Sequence, residues 1–173
     1  RSIIGYVPQK NVLFSGDVAS NLNFGVENGT ESQWEKAAQT ACAKEFIDEK
    51  EGTYHSAVSQ GGTNLSGGQR QRMAIARAIM KEPEIYLFDD SFSALDMKTD
   101  RQLRQNLFSS MGNATVIMVA QRISSIQNAD RILVLDEGRI VGNGTHKELL
   151  KTCPLYREIA VLQLGEEALS DEE

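Results

Sequence analysis

The chain has 173 residues, 40% hydrophobic and 24% charged, the balance of an ordinary globular domain with enough apolar material for a core. Its formal net charge of −6 argues against a general nucleic-acid-binding role, whose usual footprint is basic. No run reaches the roughly 20 apolar residues of a membrane span, and no secretory leader opens the sequence.

Ile3-Ile4-Gly5-Tyr6-Val7 reads as a short buried strand stopped by Pro8. Lys10 to Thr30 carries Gly16, Gly25 and Gly29 and reads as loops and short turns. Glu31 to Glu49 has Trp34, Ala37, Ala38, Ala41, Cys42 and Phe46 at helical spacing, which predicts one or two helices. Gly52 to Leu65 is polar and glycine-bearing, a loop. Ser66 to Met80 is a helix with apolar faces from Met73, Ile75, Ala76, Ile79 and Met80, and Ser66 is its natural N-cap. Glu84 to Phe88 is a near-continuous apolar run, the pattern of a parallel strand covered on both faces. Lys98 to Met111 is a helix, and Ala114 to Ala120 another buried strand. Arg131 to Leu135 and Arg139 to Val141 flank Asp136-Glu137-Gly138, a hairpin signal. Thr145 to Lys151 and Pro154 to Leu164 close the chain as helices. Strands alternating with helices indicate an α/β sheet with parallel members.

The remaining features have plain readings. Cys42 and Cys153 lie far apart and outside any CxxC pair, so free thiols are expected. The acidic tail, 165–173, reads as a solvated end. His146 is expected to cap or lie on a surface helix, and His55 to sit in a loop without metal partners. Trp34 is expected to pack among helices. Arg70 and Arg72 are expected to be solvated or paired with acidic neighbours. The opening Arg1-Ser2-Ile3-Ile4, without Met, reads as a fragment or partial gene product.

The strongest chemical signal is Leu65-Ser66-Gly67-Gly68-Gln69-Arg70-Gln71-Arg72. Two glycines beside an N-cap serine let backbone N–H groups approach an anion closely, and the helix adds its positive end. The string resembles the signature motif LSGGQ of ABC (ATP-binding cassette) transporter nucleotide-binding domains. Further segments resemble that family in its own order. Tyr6-Val7-Pro8-Gln9 is similar to the Q-loop. Leu13-Phe14-Ser15-Gly16 and Asn21-Leu22 look like its exporter version, in which a helix starts at the asparagine. Ile85 to Asp90 is similar to the Walker B strand, and Ser93-Ala94-Leu95-Asp96 to the D-loop. Val116 to Arg122 is similar to the switch strand, and Leu135 to Leu150 to the exporter segment that closes the domain. A weaker match places Ser56 to Gly62 at an exporter loop of TEVGEKG type.

The resemblance implies a partial P-loop NTPase (RecA-like) α/β core with a mostly parallel sheet and an inserted helical subdomain. On that basis 1–10 and 81–164 form the core, 11–80 the helical subdomain with the signature helix, and 165–173 the acidic tail. ATP and Mg2+ are the implied ligands, with Asp89 and Gln9 at the metal and Gln9 as the Q-loop residue. Ser66, Gly67, Gly68 and Gln69 would contact a nucleotide held mainly by another subunit, and Asp96 would sit in the D-loop between subunits. The implied partners are a second nucleotide-binding domain and a transmembrane domain, at the cytoplasmic face of the cell membrane.

Two departures concern the catalytic positions. Asp90 stands where the family has a glutamate that polarises the attacking water. It is shorter by one methylene, about 1.5 Å of reach. Gln121 stands where the family has the switch histidine, and it cannot take up a proton. No stretch matches the Walker A pattern G-x-x-x-x-G-K-[ST]. The family carries it upstream of the Q-loop strand, beyond Arg1, so this segment alone is expected to bind ATP weakly at best. The expectation is the degenerate half of a heterodimeric exporter, competent at its partner's site and impaired at its own. The alternatives are a non-hydrolytic regulatory or dimerisation module, and a soluble ABC protein of translation or DNA repair. Leu13 to Gly16 and the closing segment argue against the last.

Overall fold

A computed structural model describes residues 3–166. Most of the acidic tail lies outside the described residues. In chain order the elements are β1 (Ile4–Val7), β2 (Gly16–Asp17), α1 (Val18–Leu22), α2 (Glu31–Thr40), α3 (Lys44–Asp48), β3 (Ala57–Val58), α4 (Gly67–Met80), β4 (Ile85–Asp89), α5 (Met97–Ser110), β5 (Thr115–Val119), α6 (Ile123–Ile126), β6 (Ile132–Asp136), β7 (Arg139–Gly144), α7 (His146–Thr152) and α8 (Pro154–Leu164). They form two compact units, Arg1–Val119 and Ala120–Glu173.

The first unit is built on a parallel sheet of order β1-β4-β5. One face carries Val7, Tyr86 and Phe88, which are buried with Met73, Ile75, Leu103 and Leu107 from the long helices. Burying each such side chain stabilises by about 1.5–3 kcal/mol. Gly5 permits this packing, because a Cβ there would lie 2.7 Å from Pro83 Cγ and 3.3 Å from the Ala78 carbonyl oxygen. The opposite face differs from the expectation of strands covered on both sides. Ile4, Tyr6, Ile117 and Val119 alternate with the buried positions and are exposed. The apolar composition of β5 suits double coverage, yet among the described residues only one of its faces is packed.

The helical part of this unit corrects the reading of 10–30 as loop and turns. Asp17 accepts the N–H of Ser20 and Ser20 Oγ accepts the N–H of Asp17, a reciprocal cap that starts α1. The helix therefore begins three residues before Asn21. The Asn21 side chain is buried, bonding Phe14 N at 2.9 Å and Phe14 O at 2.9 Å. Glu31 to Glu49 resolves into two helices, α2 and α3. Between α3 and α4 the loop holds β3 and two short 3-10 turns. Trp34 packs against the core and donates its indole N–H to Asn23 Oδ1 at 2.8 Å. Arg70 and Arg72 are half-buried and bond carbonyl oxygens rather than carboxylates. Arg70 reaches Gly62 O and Leu65 O, and Arg72 reaches Cys42 O at 2.6 Å. Their charge thus braces turns at the foot of α4.

In the second unit β6 and β7 form an antiparallel hairpin. Glu137 and Gly138 both have positive φ, as a two-residue primed turn requires. Val134, Leu149, Cys153, Tyr156 and Ala160 fill a small core. His146 belongs to it, against the expectation of a surface residue. It is 5% exposed, and its Nδ1 lies 2.7 Å from Tyr156 Oη. A polar ring can be buried once it is bonded, and α7 and α8 bring that partner from ten residues on. Both cysteines are free.

Candidate functional site

Five polar side chains converge where β1 and β4 end. Parallel strands deliver their carboxyl ends to one edge, the usual place for ligands in open α/β sheets. Asp89 closes β4 there, half-buried, and its Oδ2 accepts the Tyr6 hydroxyl at 3.2 Å. Partial desolvation, then the hydrogen bond and negative charge of Asp89, push the Tyr6 phenol above its ordinary value. Asp90 takes a left-handed backbone (φ 47°), a conformation Asp tolerates better than most residues. Its N–H donates to Val119 O at 2.9 Å, and its Oδ2 accepts Gln9 Nε2 at 3.3 Å. Buried Ser91 ties the edge together, donating to Val7 O at 2.8 Å. The sequence-derived residues Gln9, Asp89 and Asp90 are therefore neighbours. Tyr6 and Ser91 were not singled out from sequence. The alternation of β1 puts Tyr6 on the same face as Ile4, and that was the available clue.

The second feature is the N-terminus of α4. Ser66 and Gly67 are exposed. Ser66 Oγ accepts Gln69 N at 3.2 Å, and Gln69 Oε1 accepts Ser66 N at 2.9 Å, a complete capping box. The box satisfies those two N–H groups. Those of Gly67 and Gly68 open the helix and have no intrahelical acceptor by geometry. The Ser66 hydroxyl still has its own proton to donate. The first turn of α4 contains no acidic residue, so the positive helix end is uncompensated. Ser66→Ala should cost about 1 kcal/mol of stability, the usual value of such a cap, read as a shift in urea denaturation midpoint. An unchanged midpoint would show that the box contributes nothing.

Asp96 caps α5 by accepting Thr99 N at 3.0 Å, and bonding to Thr99 holds its carboxyl below the usual range. Gln121 lies in the second unit, two residues after β5 in sequence, and its carbonyl accepts Gln163 Nε2 at 2.8 Å.

The fit of an anionic ligand with Mg2+ can be tested on these groups. Two glycine N–H groups, a serine hydroxyl and a helix end suit phosphate oxygens. Among the described residues no group of three or more Asp, Glu, His or Cys gathers as a metal cage. Magnesium does not need one, since it is commonly held by one or two carboxylates together with substrate phosphates. Asp89 and the Gln9 amide oxygen suit that mode.

The model of the ABC transporter family matches residues 1–93. The chain belongs to the ABC transporter family. It is similar to an ABC transporter ATP-binding protein of Mycobacterium tuberculosis, 49% identical over 165 residues, which cover 94% of this chain and 28% of that protein. It is also similar to ABC transporter B family member 1 of Dictyostelium discoideum, 43% identical over 95% of this chain and 18% of that one. A solved bacterial Atm1-family ABC exporter with ATP bound superposes with a TM-score of 0.90. It is 37% identical, covering 94% of this chain and 29% of the exporter. The mixed α/β fold with its parallel sheet is thus that of an ABC nucleotide-binding domain. The chain spans between 18% and 29% of the length of these relatives.

Proposed function

We propose that the chain is part of an ATP-binding subunit of an ABC exporter, which couples ATP binding and hydrolysis to transport across a membrane. It would present a complete signature turn to a partner's nucleotide, while its own nucleotide site turns over slowly. The observation that carries this reading is the separation of roles on the chain. Ser66 and Gly67 are exposed, Gly68 is half-buried, and all three are donor-rich, whereas the carboxylate at the general-base position, Asp90, is short and already bonded to Gln9.

In this reading Asp89 and Gln9 hold Mg2+ beside the phosphates, and the ion neutralises charge that develops on them. Ser66, Gly67, Gly68 and Gln69 act in trans, their amides and hydroxyl stabilising the partner's triphosphate. Asp90 orients water at the chain's own site, with Gln121 as a neutral hydrogen-bonding group at the switch position. The partners are a second, non-identical nucleotide-binding domain, contacted through the Asp96 segment, and a transmembrane domain. Exposed Val12, Phe14 and Phe24, just after the Q-loop, suit contact with the latter. No helix among the described residues is long and apolar enough to cross a membrane. The location would be the cytoplasmic face of the membrane. Asp90 and Gln121 together also favour a second reading, in which nucleotide at this site is a non-hydrolytic clamp.

The test uses the full-length pair reconstituted in lipid. Ser66→Arg disables the signature offered to the partner, and Asp89→Asn disables the chain's own metal position. Hydrolysis should fall more than about tenfold with the first and less than about twofold with the second. Equal losses would overturn the asymmetry.

A further inference from the structure

The turn after β4 is fastened to the signature helix by one buried side chain. Gln71, on α4, is 2% exposed, and its Oε1 accepts the backbone N–H of Ala94 at 3.1 Å. The same turn lies close on the helix end, since a Cβ on Gly68 would meet Ala94 O at 3.4 Å and Leu95 Cδ2 at 3.6 Å. On its other side the turn is bonded to the carboxylate edge. Ser93 Oγ donates to Asp90 O at 3.0 Å, and Leu95 N to Phe92 O at 3.1 Å. Hydrogen bonds from Gln9 to Asp90, from Ser93 to Asp90 and from Ala94 to Gln71, joined by the covalent chain from Asp90 to Ala94, therefore lead from the carboxylate edge to α4.

Gln71 is an economical residue for this task. A backbone N–H in a turn needs an acceptor. A carboxamide supplies one from inside the core without burying a charge. An apolar side chain of the same length would fill the volume and leave Ala94 N–H unbonded. Gln71 is buried and bonds Ala94, whereas Ser66 and Gly67 lie exposed at the helix start.

We infer that Gln71 is a positioning residue, which fixes the signature turn in register with the 93–96 segment and so makes the chain's own carboxylate edge and the signature it offers a partner move as one body. The inference rests on the assignment of Ser66 to Gly68 to a nucleotide held in trans. Two substitutions of nearly equal length separate the acceptor from the volume. Gln71→Met keeps the packing and removes the acceptor, and Gln71→Glu keeps an acceptor oxygen at the cost of burying a carboxyl group, which lowers the melting temperature of that variant.

Both are made in the full-length pair and read in two ways. Amide hydrogen exchange of the peptide containing Ala94 reports the bond itself. In Gln71→Met it should speed up about tenfold while the body of α4 is unchanged, and in Gln71→Glu it should stay near the parent. Steady-state hydrolysis reports the coupling. Gln71→Met should lower kcat about tenfold and shift KM for ATP less than about twofold, with Gln71→Glu recovering most of kcat. Loss of packing alone would lower the melting temperature in both variants without this split. Unchanged exchange at Ala94 in Gln71→Met overturns the bond, and lost protection with unchanged kcat overturns the positioning role. Exchange is read whichever site hydrolyses, so it fails independently of the asymmetry proposed above.

Discussion

Asp90→Glu combined with Gln121→His is expected to raise hydrolysis at the chain's own site by about a hundredfold in the full-length pair. The first substitution restores about 1.5 Å of reach, and a misplacement of about 1 Å can cost a hundredfold in rate. The second restores a group that can exchange a proton near neutrality. Asp90→Glu alone should give about tenfold, because the longer carboxylate can extend beyond the Gln9 amide that Asp90 now engages at 3.3 Å. A stability cost accompanies the gain. Residue 90 has φ 47°, and a residue less tolerant than Asp loses on the order of 1 kcal/mol in the left-handed region. The measurement is single-turnover hydrolysis with the other site silenced by Ser66→Arg, alongside a thermal melt. A double variant no faster than the parent would show that the two substitutions do not limit this site.

That pairing of rate and stability gives the Asp90 departure a second physical meaning. In the general-base role proposed for Asp90, a carboxylate one methylene short would be a poor base for a distant water, but it suits a left-handed turn pinned to Val119 O.

Much of this edge was legible in the sequence. The β4 strand announced itself by its apolar run and β1 by its run before Pro8, because both are local patterns. The start of α4 was readable from Ser66 as an N-cap, and the structure added the reciprocal bond from Gln69. The missing parts have specific causes. Helix α1 is only five residues long and sits among glycines, so its cap from Asp17 and Ser20 was the sole signal. Tyr6, Ser91 and Gln71 act through partners between 23 and 84 residues away, and no spacing rule carries that information. His146 looked like a surface residue because burial of a lone histidine depends on a partner, here Tyr156, that only folding supplies. The exposed face of β5 was misread for the opposite reason. Thr-Val-Ile-Met-Val is apolar on both sides, so composition promised a covering that the described residues do not provide for Ile117 and Val119.

The 173-residue chain by itself is therefore expected to self-associate at micromolar concentration. On the parallel sheet Ile4 is 38% exposed, Tyr6 51%, Ile117 50% and Val119 52%, all on one face. Contiguous apolar patches beyond roughly 300–600 Å² are uncommon on monomers and mark contact surfaces. β1 and β5 are also both sheet edges among the described strands, and unpaired edges template pairing between chains. Face and edge predict different responses. Ile117→Thr with Val119→Thr keeps β-branched residues and strand propensity but removes much of the apolar surface, so association driven by the face should fall several-fold. Association driven by the edges should survive that pair and fall instead with Val116→Pro, which removes an outward backbone donor from β5, whereas Thr115 N–H is already held by Glu84 O at 2.9 Å. Sedimentation velocity across a concentration series separates the two. A parent chain that sediments as a monomer throughout and melts cooperatively would overturn both.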